Sequence, residues 1–387
     1  MFFGKGLRLC RITGITISLD YSWFLIFALF VYLIGAFIFP RTVHGLPALW
    51  NWSLAVFTSL LFFSSVLLHE MSHAFVARRN GIPINNITLF ILGGVAQMED
   101  EPGTAMIEFK MAIAGPIASV LIGIAFYALF LAARQFHAVA LTASQALSAS
   151  FIYLSVINIT LAIFNLLPAY PMDGGRVFRS ILWGAMRDLR RATQIASVTG
   201  QTFGWILIVY GVGGMLYPPL RPYSSIWLAL VGWFIISAAR SSYQQVLMKD
   251  TLSHVPITEV MNNQVDAVQA DISVDHLVSE YFMRESASVL PVERNGQLLG
   301  MVSVEDVKKL PRERWATTLV SDITPPVSEE QVLHPQDDAW DAANQMSREN
   351  RDRLLVTDDH AHVEGIVTRG AILRWLQTHT NWAEGSA

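Results

Sequence analysis

Along the first 250 residues or so the hydrophobic positions neither alternate nor follow a helical period. They run on almost unbroken for about 20 residues at a time, the length that crosses a bilayer as a helix. Six spans are expected: Ser18–Phe39, Trp52–Val76, Ile107–Ala132, Ser148–Leu167, Ile195–Leu216 and Ile226–Gln245. Between the second and third, Pro83–Met98 is apolar but only 16 residues long, too short to span as a helix. It reads as strand, Gly93-Gly94 turn and strand, a membrane-associated hairpin whose backbone must be covered by protein.

Beyond about Lys249 the pattern becomes that of a water-exposed domain, and it repeats. Leu290-Pro291-Val292 followed by Gly300-Met301-Val302-Ser303-Val304-Glu305-Asp306-Val307 recurs as Leu354-Leu355-Val356 followed by Gly365-Ile366-Val367-Thr368-Arg369-Gly370-Ala371-Ile372. Each copy follows an amphipathic stretch, Val274–Arg284 or Ala339–Glu349, which gives β-α-β-β-α twice and one pseudo-symmetric unit. The expected division is 1–249, 250–315 and 316–380.

Composition agrees. Of 387 residues 52% are hydrophobic and 15% charged, too apolar for an ordinary soluble protein. A net charge of −4 gives no reason to expect a nucleic-acid partner. The single cysteine, Cys10, excludes an intrachain disulfide and a cysteine-based zinc site. The N-terminus shows no apolar region followed by a small-residue cleavage site, so no removable signal peptide is expected.

Lysine and arginine set the orientation. Lys5, Arg8, Arg11, Arg78, Arg79, Lys110, Arg176, Arg179, Arg187, Arg190, Arg191, Arg240 and Lys249 fall on one side of the six spans; Arg41, Arg134 and Arg221 fall on the other. Both termini and the repeat domain should therefore be cytoplasmic, in a multi-pass protein of the cell membrane. With Arg78 and Arg79 at the surface and a rise of about 1.5 Å per residue, His73 lies roughly 8 Å and His69 roughly 14 Å inside.

The chemistry centres on His69-Glu70-Met71-Ser72-His73. Ionisable residues at that depth are costly and mark a functional site. Histidines at i and i+4 share a helix face, so both can reach one Zn²⁺, leaving room for a water that Glu70 can deprotonate. Asp173, in Asp173-Gly174-Gly175 after the fourth span, is the candidate third ligand; alone, it would read as a solvated acid at a helix end. Its glycines would let the backbone turn tightly. Asn165 could donate to an oxyanion or act as interhelical glue, the role expected of Asn158. The other histidines, His44, His137, His254, His276, His334, His360, His362 and His379, have no metal-like spacing.

These residues together resemble the site-2 protease family of intramembrane zinc metalloproteases: His69-Glu70-x-x-His73, the Gly93-Gly94 hairpin, Gly115-Pro116, and Asn165-x-x-Pro168-x-x-Pro171-x-Asp173-Gly174. The resemblance covers roughly Gly4 to Lys249. The tail is similar to a pair of CBS domains, found in one branch of that family with six transmembrane helices. The resemblance implies one Zn²⁺ per chain held by His69, His73 and Asp173, with Glu70 as general base and Asn165 stabilising the transition state. It implies a hairpin that holds an extended single-span substrate at Gly93, Gly94 and Val95.

CBS modules that hold adenine nucleotides often carry Gly-x-x-Ser/Thr-x-x-Asp. The first repeat has Gly300, Ser303 and Asp306; the second has Gly365 and Thr368, but Ala371 in place of the acid. One ribose site at most is expected. The alternative is a pair that only dimerises or docks.

The expected fold is thus a polytopic α-helical membrane protein, with about six transmembrane helices and a membrane-associated β-hairpin, joined to a C-terminal α/β tandem CBS pair. The chain should be a homodimer through that pair. Rival readings are a CBS-gated transporter or channel, a membrane-anchored protease cutting soluble segments, and a catalytically silent metal-binding relative.

Overall fold

The computed structural model describes residues 6–43, 45, 47–91, 93–98, 102–135, 141–216, 226–263, 267–283, 289–327, 332–349, 351–358 and 362–384. Lys5, His44, His137, Arg221, Arg284 and His360, singled out above, lie outside them. The chain divides into two compact units, Met1–Gln244 and Gln245–Ala387.

The first unit opens with a hairpin, β1 (Leu7–Ile12) and β2 (Ile15–Leu19). Thr13 and Gly14 both adopt positive φ, 48° and 87°, the primed turn whose twist suits antiparallel strands. Strands β3 (Ile84–Phe90) and β4 (Gly93–Met98) complete one four-stranded sheet in the order β1-β2-β3-β4, with β2 parallel to β3. The expected hairpin is therefore half of a larger sheet. Phe90 pairs with Gly93, which puts both glycines in the strand and not in the turn.

Helix α1 (Tyr21–Thr42) starts three residues later than expected. Ser18 and Leu19 belong to β2, and the apolar run conceals a change of structure at Asp20. The Asp20 carboxylate caps the helix, accepting from Ser22 N at 2.9 Å and from Ser22 Oγ at 2.6 Å. Those bonds hold the carboxyl below its ordinary pKa.

Then follow α2 (Ala48–Arg79), α3 (Ala105–Gln135), α4 (Leu141–Asn165), α5 (Asp173–Met186), α6 (Leu189–Leu216) and α7 (Ile226–Leu252). Among the described residues six helices, all but α5, are long and apolar enough to cross a membrane. Their outward faces carry side chains such as Leu25, Leu121, Val209 and Trp233, each more than 60% exposed. Such surface suits lipid rather than water. This is a multi-pass helical membrane protein.

Two apolar clusters fix the sheet to the helices. Ile15, Ile84 and Ile87 pack on Ala74 and Ala77 of α2 and Met111 of α3. Leu19 and Leu89 pack on Trp23, Phe62, Phe63 and Leu154, with Trp23 stacked on Phe27 at 4.9 Å between ring centroids. Asn158 bridges α4 to α2 through Ser65 Oγ at 3.3 Å, the interhelical role expected of it.

Among its described residues the second unit holds two three-stranded sheets. In the first, β5 (Val268–Gln269) runs parallel to β6 (Val289–Arg294), which pairs antiparallel with β7 (Gln297–Ser303). In the second, β8 (Val332–Leu333), β9 (Arg353–Thr357) and β10 (Val363–Thr368) repeat that arrangement.

The repeats exchange segments. Leu252, Ile257 and Val260, ahead of the first repeat, are buried in the core of the second. Val320, between the repeats, is buried in the core of the first. Gly300 and Gly365 mark the matching crossings: an added Cβ would come within 2.2 Å of Pro325 O and within 2.9 Å of Asn262 O, respectively. Each glycine admits a neighbouring backbone, so these positions serve packing whatever else they serve.

Candidate metal centre

Helix α2 presents His69 and His73 on one face, and α5 presents Asp173 in its first turn. His69 Nε2 lies 3.2 Å from Asp173 Oδ2, and His73 Nε2 lies 3.3 Å from that oxygen and 3.3 Å from His69 Nε2. The three side chains are 4%, 11% and 16% exposed. A regular tetrahedron has an edge about 1.63 times its centre-to-vertex distance, so zinc bonds of 2.0–2.1 Å require donors roughly 3.3–3.4 Å apart. Two imidazole nitrogens and a carboxylate oxygen at this spacing fit one zinc ion and leave a fourth vertex open. Three nitrogen and oxygen donors with no sulfur are a donor set that catalytic zinc sites use.

The far side of each imidazole is also held. His73 Nδ1 donates to the carbonyl of Met111 at 2.6 Å, and His69 Nδ1 pairs with Ser119 Oγ at 2.8 Å. A carbonyl only accepts, so Nδ1 of His73 donates and Nε2 is the atom turned toward the metal position; His69, paired with Ser119 through Nδ1, is turned the same way. Between those acceptors on α3 lies Gly115. A Cβ there would stand 2.1 Å from His73 Nε2 and 2.7 Å from His69 Cε1, so the backbone of Gly115 forms the floor beneath both rings.

Asp173 arrives by a route the sequence did not suggest. No helix is expected between the fourth and fifth spans, where a run of arginines falls on the cytoplasmic side, yet Asp173 begins helix α5, and Gly174 and Gly175 are helical and buried. Their role is close packing: a Cβ on Gly174 would meet the backbone of Leu166 at 2.2 Å, and one on Gly175 would meet Tyr170 N at 2.2 Å. Arg179, counted above among cytoplasmic loop charges, is 4% exposed and pairs with the fully buried Glu108 of α3.

Asn165 ends α4 with Nδ2 3.4 Å from His69 Nε2, beside the three candidate donor atoms. Glu70 faces β4, where a Cβ on Gly94 would come within 2.4 Å of its Cγ. The structure thus brings His69, Glu70, His73, Asn165, Asp173 and Gly94 together. Gly93 and Val95 are placed by backbone register, opposite Phe90 and Thr88. Ser119, Met111 and Glu108 were missed. Glu108, an acid inside an apolar run, was the available signal.

In the second unit Ser303 and Asp306 form a capping box at the short helix Val304–Lys308. Burial acts to raise the Asp306 carboxyl, but bonds from Lys309 Nζ (2.8 Å) and Ser303 outweigh it and hold it below its ordinary pKa. Asp306 also lines an open groove of about 460 Å³ with Lys309, Asp322 and Thr324. Thr368 Oγ1 accepts from Ala371 N at 3.1 Å, the same cap without the acid. The described histidines outside the site (His254, His276, His334, His362 and His379) are exposed.

A helical membrane bundle with a buried His-His-Asp donor set defines a class of intramembrane metal-dependent proteins, and comparison with known proteins narrows it. The profile of "Peptidase family M50" matches residues 57–139 and 132–207, and that of the CBS domain matches 257–313 and 320–378. A Synechocystis protein provisionally named zinc metalloprotease sll0528 is 30% identical over 97% of both chains. Mycobacterium tuberculosis Rip3, also provisionally named a zinc metalloprotease, is 32% identical over 97% of this chain and 93% of its own. The solved site-2 protease from Methanocaldococcus jannaschii is 30% identical, covering 61% of this chain and 94% of that one with a TM-score of 0.41. The chain belongs to peptidase family M50, the site-2 protease family of zinc metalloproteases, in the branch that carries CBS domains.

Proposed function

We propose that this chain hydrolyses peptide bonds in or near the transmembrane segment of a single-span membrane substrate. The observation that carries the reading is the convergence of His69, His73 and Asp173 at tetrahedral spacing, on a helix long enough to span a membrane and a short helix beside it. His69, His73 and Asp173 would hold a zinc ion, whose Lewis acidity would lower the pKa of a bound water and polarise the scissile carbonyl. Glu70 takes the proton from the attacking water and passes it to the leaving amine. Asn165 Nδ2 donates to the developing oxyanion.

Strand β4 is an outer strand of the sheet and lies against Glu70 through Gly94. A substrate segment must unwind to expose its carbonyls, and once extended it can pair with β4 at Gly93, Gly94 and Val95. Helix-breaking residues in the substrate lower the cost of that unwinding. The lysine and arginine bias supports a cell-membrane protein with both termini and the CBS pair in the cytoplasm. Gly300, Ser303 and Asp306 support an adenine nucleotide ligand there, with dimerisation through the pair. Among the described residues of the first unit, the buried ionisable ones, His69, Glu108 and Arg179, gather around one site, which favours a site over a conduction path.

The test is reconstitution of wild type and Glu70→Gln with a panel of single-span candidate substrates, with fragments mapped by mass spectrometry. Cleavage by wild type alone, blocked by a chelator and mapping in or beside the span, is expected. Equal cleavage by both proteins would sink the assignment of Glu70 and of the site.

A further inference from the structure

Helix α3 carries more than a floor for the imidazoles. At 3.6 residues per turn, positions 108, 111, 115 and 119 fall within about 80° of one another on one helical face. Three of them serve the histidines, as Met111 O, Gly115 and Ser119 Oγ. The fourth, Glu108, is fully buried and reaches the helix that bears Asp173. Arg179 Nε donates to Glu108 Oε1 at 2.8 Å, and Nη2 donates to the same oxygen. Arg176 Nε stands 3.8 Å from it. Arg179 Nη1 donates to Tyr170 Oη at 2.9 Å, and the guanidinium lies over the Tyr170 ring at 5.0 Å.

Tyr170 precedes Asp173 in the chain and Arg179 follows it, so Arg179 ties the two flanks of the third ligand together and anchors them to Glu108. That carboxylate sits one turn from the carbonyl that orients His73. A buried ion pair is weak evidence for stability, because desolvation offsets much of its attraction, but its geometry is specific. We infer that Glu108 and Arg179 are positioning residues of the metal site: the pair locks α5 to the α3 face that already orients both histidines, and so sets where the Asp173 carboxylate stands.

This inference rests on the metal reading above, and the experiment separates the two. Zinc affinity of the full chain in detergent is measured by chelator competition for wild type, Arg179→Gln, Asp173→Asn and the double variant. If Arg179 acts through Asp173, the two losses are not additive. Arg179→Gln should weaken zinc binding by about 10–100-fold in the wild-type background, as loss of a supporting group does, and by less than about threefold once Asp173 no longer ligates. The same factor in both backgrounds, or no loss in the first, would overturn the inference while leaving the metal site standing. A wild type that binds no stoichiometric zinc would overturn the metal reading and this inference with it. Should Arg179→Gln fail to fold, Arg179→Lys keeps a charge for Glu108 but cannot reach Tyr170 as well, and the same cycle is read with it.

Discussion

Replacing Gly115 with alanine puts one methyl group beneath both imidazoles. The added Cβ would stand 2.1 Å from His73 Nε2, 2.5 Å from His73 Cε1 and 2.7 Å from His69 Cε1. Ordinary contact begins at 3.4 Å, so the His73 ring must retreat by about 1.3 Å if α3 stays in place. Metal–ligand distances tolerate only about 0.2 Å, several times less than that retreat. His73 then ceases to ligate, and zinc affinity should fall at least about 100-fold, equivalent to about 2.7 kcal/mol. Gly123→Ala on the same helix is the control: its Cβ would meet the Ile159 side chain at 2.8 Å and Ser155 O at 3.3 Å, neither of them part of the site. It should show the overpacking cost of about 1–3 kcal/mol in stability with zinc retained. Chelator competition on the purified full-length proteins reads both. Wild-type zinc affinity in Gly115→Ala would refute the placement of α3 beneath the rings.

Three further outcomes follow from single contacts. Ser119→Ala removes the partner of His69 Nδ1, and zinc binding should weaken about 10-fold or more in the same assay; unchanged affinity would deny Ser119 that role. Gly94→Ala crowds Glu70 with a Cβ 2.4 Å from its Cγ, so cleavage should fall about 10-fold or more while zinc stays bound, and a parallel loss of zinc would contradict the assignment. Asp306→Ala breaks the capping box and should cost about 1 kcal/mol. Because folding lowers the Asp306 pKa, its contribution is present above the ordinary carboxylate pKa and is lost as pH falls through the lower folded value. The difference in denaturation midpoint between variant and wild type should shrink on acidification in that window, and a pH-independent difference would refute the account.

Legibility in the sequence followed the strength of local signals. Six uninterrupted apolar runs and the short apolar stretch 83–98 with its Gly93-Gly94 announce helices and hairpin, because in lipid the backbone has few other solutions. Strands β1 and β2 both escaped notice: Ile15–Leu19 merges into the apolar run of α1, and Asp20 marks the change from strand to helix. Helix α5 was hidden by Gly174-Gly175, which argue against a helix on propensity; tertiary contact with 166–170 explains them instead. The candidate donors His69 and His73 stood out because their spacing puts them on one helix face, and Asp173 was drawn in by their company. Their support did not stand out, since Met111 contributes a backbone carbonyl, Ser119 looks like any small residue in a span, and the partner of Glu108 lies 71 positions away.

The most direct measurement is zinc X-ray absorption on the purified full-length chain, set beside His73→Ala. The account predicts one zinc per wild-type chain in a first shell of nitrogen and oxygen alone, at about 2.0–2.1 Å, with the imidazole signature reduced in the variant. A wild type without zinc, or a first shell that His73→Ala leaves unchanged, would contradict it.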